Sequence, residues 1–411
     1  METLITTTEQ ELEATAQQAW ASTPPGATAA RTLIVTESSR LIAAEVGSKA
    51  RAIILTGSMS RGETTLQFEG SMWRVLGDAT FLVVFDGPAD LNVGSIEQAI
   101  HDELLIQGVK CKVVVVPSTA DNLRAMKPHI YAYELKERGV VVWGDEKALS
   151  LIPAFGAADI PKEDGWWLLC NRMIEQIETA ASSSTFSDNS TAVRYRIAKL
   201  YLAMSACYLL VTGAYEPSYQ SRAERLKEIA QHDPNAPAPI SLTRFADVVS
   251  RCTDMKLYGE AGVSLKDFPR WQDAVADAEV IWRWALAEIT DLGENTGREQ
   301  LLRALASRQT ITARAKGWLR AAVSHRSGMV QESLRWTRFA LSSSPRYLVY
   351  GAASELFFMS QKPASAGTEQ LSAVARRLPI SLKRSKSDLS WNVIAKQVAL
   401  NFHALLENNR C

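Results

Sequence analysis

Hydrophobic positions along the chain follow two regimes. Up to about residue 145, short apolar runs bounded by Gly, Asp or Pro alternate with amphipathic stretches, whereas from Lys162 onward the spacing is helical throughout. Three runs, Ala52–Leu55, Phe81–Phe85 and Val113–Val116, are rich in branched or aromatic side chains and have the length of buried strands. Between the second and third, Ser95 to Leu105 is amphipathic with Ser95 as N-cap, and a helix joining two strands implies an α/β layer. A helix over Ile130 to Glu137 and a strand over Val140 to Trp143 follow, ending at Gly144-Asp145. Ahead of the first strand, Thr6 to Val46 reads as helices interrupted by Pro24-Pro25-Gly26, with Leu33, Ile34, Leu41, Ile42 and Val46 at helical spacing. This is a lead-in helix for a sheet.

In the second regime, Trp166 to Ala180 and Val193 to Val211 carry long helical periodicity. Its joints are turn-rich or of low complexity: Ser182 to Ser190, Asp233 to Pro239 and Pro363 to Gly367. The expected fold class is α+β, a small mixed β-sheet core flanked by helices and followed by an all-helical C-terminal region. The expected organisation is a helical lead-in (1–48), an α/β domain (49–160), a helical domain (161–362) and a C-terminal linker with a helix (363–411).

Composition narrows the functional classes. With 45 basic against 45 acidic residues among 411, no global field favours nucleic acid or membrane, so an anionic partner has to be met locally. The N-terminus lacks a basic start followed by an apolar run, and no stretch of about 18 apolar residues occurs. A cytoplasmic protein with no membrane partner is the expectation. Cys111, Cys170, Cys207, Cys252 and Cys411 form no C-x-x-C pair, and the five histidines show no metal-ligand spacing. Reduced structural thiols are expected, and no histidine-built metal site.

The stretch with candidate chemistry is Leu55-Thr56-Gly57-Ser58-Met59-Ser60-Arg61-Gly62-Glu63, followed by a strand opening on Gly77-Asp78-Ala79-Thr80. A Gly-Ser turn at a strand end lets backbone N–H groups and a hydroxyl approach phosphates. Carboxylates at i and i+2 of a strand share one face and can hold the Mg²⁺ used in nucleotide transfer. The order of strand, G-S-x-x-R-G-E, strand, helix and strand resembles the DNA polymerase β-type nucleotidyltransferase superfamily over about residues 50 to 155. The run Tyr133-Glu134-Leu135-Lys136-Glu137-Arg138-Gly139-Val140-Val141-Val142-Trp143-Gly144-Asp145 adds to the likeness.

The resemblance implies transfer of a nucleoside monophosphate from an NTP to a hydroxyl or phosphate acceptor. Gly57 and Ser58 would meet the phosphates, Asp78 would be the catalytic Mg²⁺ ligand, and Arg61 and Lys112 would complete the nucleotide-binding set, with Arg61 and Glu63 bracing the turn. Two departures qualify this. Thr80 stands where the family's second carboxylate falls, and Lys110 and Lys112 occupy the places for the third. A lysine facing Asp78 is expected to pair with it and repel a metal ion. Glu69, Asp86 and Asp90 are the candidate substitute ligands. The alternative is therefore a catalytically inactive module of the same fold that binds nucleotide or a protein partner.

Bland roles accompany each signal. Asp78 can be a turn residue, Trp166, Trp167, Trp282 and Trp284 suit helix packing, and Tyr195, Lys199, Tyr215 and Tyr219 suit a core or surface. Between Arg303 and Arg346, Arg303, Arg308, Arg314, Lys316, Arg320, Arg326, Arg335, Arg338 and Arg346 face a single acid, Glu332. Such an excess can hold nucleic acid or another polyanion, or be a solvated helix face. The acidic Glu9, Glu11 and Glu13 suggest charge pairing within or between chains.

Overall fold

The structure, a computed structural model, describes residues 25–406 except 89, 183–189, 294, 326–328, 362–366 and 382–388. The start of the lead-in, the Glu9, Glu11 and Glu13 triplet, most of the joints at 182–190 and 363–367, Arg326 and Cys411 lie outside these residues.

The chain forms two compact units. The first comprises Met1–Ile160 together with Glu216–Arg222 and Thr253–Leu265, two segments that the sequence reading placed in the helical region. It opens with helix α1 (Pro25–Val46) and strand β1 (Ala50–Thr56), a single turn α2 (Gly57–Ser60), and strands β2 (Leu66–Glu69) and β3 (Met72–Phe85). Helix α3 (Val93–Ile106), strand β4 (Val109–Thr119), helices α4 (Ala120–Arg124) and α5 (Ile130–Arg138), and strand β5 (Val140–Gly144) follow. The sheet is mixed, since β1 pairs antiparallel with β3 and β5, β2 pairs antiparallel with β3, and β4 runs parallel to β3. Strand β3 meets β2 through Met72 to Val75 and β1 through Thr80 to Phe85, which leaves its other edge to β4.

Both faces of the sheet are covered. Ile53, Leu55, Phe81, Val83, Val113 and Val115 pack against Ile34 and Ile42 of α1 and Ile96, Ile100 and Leu104 of α3. On the opposite face Ala52, Ile54, Leu82 and Val84 pack against Leu123, Leu135, Ala148 and Ile152. Double coverage explains why the strands read as continuous apolar runs rather than alternating ones. The outer strand β4 has one edge outside the ladder, and there the Val115 N–H donates to Glu97 Oε1 of α3 at 2.8 Å, while Lys110 and Lys112 are exposed along it. Edge lysines discourage pairing with another chain.

The two glycines of the Tyr133 to Asp145 run have backbone causes. A Cβ on Gly139 would lie 2.4 Å from the Leu135 carbonyl oxygen, and one on Gly144, at φ +90°, would lie 2.3 Å from the Arg51 oxygen. Gly144→Ala is expected to cost about 1–3 kcal/mol from strain alone, read as a lower thermal melting point in circular dichroism. A melt equal to wild type would show that the turn relaxes freely.

The second unit comprises Pro161–Tyr215, Ala223–Cys252 and Lys266–Cys411 and contains no strand among its described residues. Helices α6 (Lys162–Ser182), α7 (Thr191–Val211), α8 (Tyr219–His232, whose first residues to Arg222 belong to the first unit), α9 (Leu242–Tyr258, whose residues from Thr253 belong to the first unit), α10 (Trp271–Thr290) and α11 (Arg298–Ser307) are followed by five more. These are α12 (Ile311–Ser324), α13 (Met329–Ala340), α14 (Pro345–Met359), α15 (Thr368–Arg377) and α16 (Trp391–Leu405). Residues Leu200 to Val211 of α7 are buried all round, the pattern of a central helix. Trp166 packs on Trp282 with ring centroids 6.0 Å apart, and Trp284 stacks on Tyr208 at 5.2 Å. The fold is thus α+β with a long all-helical C-terminal region. Among the described residues no helix is long and apolar enough to cross a membrane.

In this unit Glu175 of α6 accepts from Arg172, from Arg196 at 3.0 Å and from Lys199 at 2.9 Å. Burial opposes its charge, but Arg172, Lys199 and Arg196 outweigh burial and bring its pKa from 4.5 to about 2. The folded carboxyl is the stronger acid, so its contribution to stability is complete above about pH 4.5 and is lost as the pH falls toward about 2. Glu175→Gln is expected to flatten the dependence of melting temperature on pH in that window. An unchanged acid limb would refute the assignment.

Candidate functional site

The turn after β1 is built by one backbone requirement and a few short bonds. Gly57 has φ +75°, and a Cβ there would meet nothing within 4 Å, so conformation rather than crowding calls for glycine. Ser60 Oγ donates to the Gly57 oxygen at 2.9 Å, the Gly62 N–H to the Met59 oxygen at 3.1 Å, and the Glu63 N–H to the Ser58 oxygen at 2.8 Å. The hydroxyls of Ser58 and Thr64 lie 3.1 Å apart, which orients Ser58 from beneath. Arg31, itself buried, donates Nη2 to the Thr64 oxygen at 2.7 Å, and the Thr65 hydroxyl donates to the Lys256 oxygen at 2.5 Å. Burial brings the Arg31 pKa down to about 10, against a smaller opposing effect of Tyr258.

Asp78 lies within β3, not in a turn. Strand alternation puts Asp78, Thr80, Leu82 and Val84 on the face covered by α4 and α5. Thr80 is in register with Thr56 of β1 and with Val114 of β4, and Asp78 is in register with Lys112. The exposed end of this face therefore carries one carboxylate, two threonine hydroxyls and an ammonium group. Asp78 and Lys112 are both exposed, and among the described residues they form no ion pair, so the pairing expected from the sequence is replaced by cross-strand proximity alone. The charge of Asp78 is still felt by its neighbour Cys111, whose thiol is pushed up to about 12 by burial first and Asp78 second.

The substitute carboxylates do not converge on Asp78. Asp86 follows the far end of β3, eight residues on, or about 26 Å at strand rise, and Asp90 lies beyond it. Both line a cavity of about 450 Å³ with Glu45, Lys49 and Asn92. Glu69 sits at the β2–β3 hairpin, paired with the exposed Arg74 at 3.4 Å. Among the described residues no three His, Cys, Asp or Glu side chains form a group able to hold a metal ion.

Arg61 is directed inward. Its side chain is 5% exposed, with Nε 2.7 Å from Glu63 and Nη1 2.9 Å from Glu134. Arg222 reaches the other oxygen of Glu134 at 3.0 Å, and both guanidinium groups lie over the Tyr219 ring, at 5.3 and 4.8 Å. Glu63 Oε1 accepts from the backbone N–H groups of Tyr219 and Gln220 at 2.5 and 3.1 Å, capping the start of α8. Burial works against the Arg61 charge, yet Glu134 and Glu63 outweigh it and hold its pKa above the ordinary value. The network joins the G-S-x-x-R-G-E motif to the Tyr-Glu of the later run. Neither Glu134 nor Arg222 was singled out from the sequence, where Glu134 stood only within the Tyr133-Glu134-Leu135 string and Arg222 carried no signal.

The basic segment is dispersed by its own bonds. Arg303 pairs with Glu299 and Arg308 with Asp291 at 2.9 Å, Arg314 donates to the Leu341 oxygen at 2.7 Å, and Arg335 donates to the Arg376 oxygen at 2.7 Å. Arg346 stacks over Trp167 at 4.4 Å, whereas Lys316, Arg320 and Arg338 point outward. No family model matches the chain, nor does any curated protein.

Proposed function

We propose that the first unit is a nucleotidyltransferase-like module that binds the phosphates of a nucleoside triphosphate at the Gly57-Ser58 turn without metal-dependent transfer. The observation that carries this reading is the register of Asp78 with Lys112, with Thr80 beside them. Mg²⁺ is held by several hard oxygen ligands, commonly carboxylates, in octahedral geometry. One carboxylate with two neutral hydroxyls and an ammonium group fits that demand poorly, but the same ammonium suits a phosphate oxygen. Gly57 leaves room for close approach of the backbone, and Ser58 supplies a hydroxyl. Arg61 braces the turn through Glu63 and Glu134 rather than touching the nucleotide.

The competing reading is turnover, the transfer of a nucleoside monophosphate to an acceptor with Mg²⁺ on Asp78. It is favoured by the place of Asp78 within β3, on the face it would need. Calorimetric titration with ATP, CTP, GTP and UTP, with and without Mg²⁺, separates the two. The expected result is metal-independent binding, weakened about tenfold or more by Lys112→Ala, with no pyrophosphate released. Binding that requires Mg²⁺ and is accompanied by pyrophosphate release would establish transfer instead, and no binding of any of the four would end the phosphate reading.

A further inference from the structure

A second surface lies on helices α12 and α13. The inner side of this pair is fixed by Trp318 and Trp336, whose rings are 5.4 Å apart and whose indole N–H groups donate to the Ser343 and Pro379 oxygens at 2.9 and 3.1 Å. At about 100° per residue, Leu319, Val323, Lys316 and Arg320 fall about 100–200° away from Trp318, and Leu334 and Arg338 about 160–200° away from Trp336. The same outward side of each helix thus carries aliphatic side chains among cations. Exposure agrees, with Leu319 at 67%, Val323 at 55%, Leu334 at 89% and Leu341, just past α13, at 79%. Isolated exposed leucines need no explanation, but aliphatics exposed beside cations on each of two adjoining helices do.

The charge is equally one-sided. Lys316, Arg320 and Arg338 are exposed, whereas Glu332, the one acid from Ile311 to Leu341, is buried and accepts from the Ser381 N–H at 3.0 Å. We infer that this face is an interfacial surface that lies on an anionic phospholipid bilayer. A leucine exposed to 89% projects into solvent and lines no groove, so a rigid partner would need a pocket for each such side chain. A bilayer interface receives projecting aliphatics to a depth of about 5–10 Å, while lipid phosphates meet the interleaved lysine and arginines. Nucleic acid would satisfy the cations but leave the aliphatics in water. Among the described residues no helix is long and apolar enough to cross a bilayer, and lying on one requires only this local face.

The test is co-sedimentation of the full-length protein with vesicles of phosphatidylcholine alone or mixed with phosphatidylglycerol. Binding is expected to the mixed vesicles only, and to fall away near 1 M salt, where the screening length is about 3 Å. Reversing the three charges (K316E, R320E, R338E) is expected to weaken it about a hundredfold, and L319S with L334S at least tenfold. These side chains are exposed, so circular dichroism should show both variants folded. The inference is overturned if wild type ignores the mixed vesicles, if it binds neutral vesicles equally, or if either folded variant binds as wild type does. Binding to an acidic amphipathic peptide or to duplex DNA, with none to vesicles, overturns it in favour of that partner.

Discussion

Glu134→Ala is expected to lower the melting temperature of the protein more than any single surface substitution. The Glu134 carboxylate neutralises two arginines at once, Arg61 at 2.9 Å and Arg222 at 3.0 Å, whose side chains are only 5% and 3% exposed. Removing it leaves Arg61 with Glu63 and Arg222 with its bond to the Glu216 oxygen at 3.1 Å. Breaking a buried pair from one side costs about 3–5 kcal/mol, because the buried charges that remain lose part of their compensation. In a domain of about 150–250 residues each kcal/mol shifts the midpoint by about 2–4 °C, so a drop of about 6–20 °C is expected by circular dichroism. Glu134→Gln keeps an acceptor oxygen and should lose less. If the alanine variant melts within a degree or so of wild type, the network is ornamental. Replacing all its charged members with apolar residues is a different experiment, since such exchanges can be neutral or stabilising.

The second large effect concerns the metal-poor face. Thr80→Asp combined with Lys112→Asp would put three carboxylates at positions 78, 80 and 112, on one face and in register across two neighbouring strands. Without metal the double variant should be less stable than wild type, because like charges directly opposite one another destabilise a sheet. With Mg²⁺ it should recover, since an ion that binds only the folded state stabilises it by about 2.7 kcal/mol at a hundred times its dissociation constant. The readout is the difference in melting temperature with and without Mg²⁺, large for the variant and negligible for wild type. A variant that folds and melts identically in both conditions would mean that these positions do not converge, and the proposed relation of this face to an acid triad would be wrong.

The parts of the fold that were legible share one property. Ala52–Leu55, Phe81–Phe85 and Val113–Val116 stood out because helices cover both sides of the sheet, so every side chain there had to be apolar. Strand β2 and the first half of β3 did not stand out, because Phe68, Arg74 and Asp78 are exposed and the local pattern lacks a run. The turn glycine was visible as Gly-Ser at a strand end. Its scaffold was not, since Arg31, Thr64, Glu134, Arg222 and Lys256 come from five separate stretches of chain and each alone is an ordinary polar residue.

Helical periodicity hid another distinction. It marked α12 and α13 as helices with apolar residues, but both the tryptophan side and the leucine side contribute to that pattern, and only packing separates the buried face from the presented one. The sequence by itself determined the α+β class, the position of the turn at Gly57, and which residue types stand at 78, 80, 110 and 112. Only the folded chain decides that Lys112 rather than Lys110 stands in register with Asp78, that Arg61 is spent on Glu63 and Glu134, and that Asp86 and Asp90 lie far from Asp78. The reason is physical: hydrophobic period and turn chemistry are set by neighbours in the chain, whereas strand register and charge pairing depend on residues brought together only when the sheet closes.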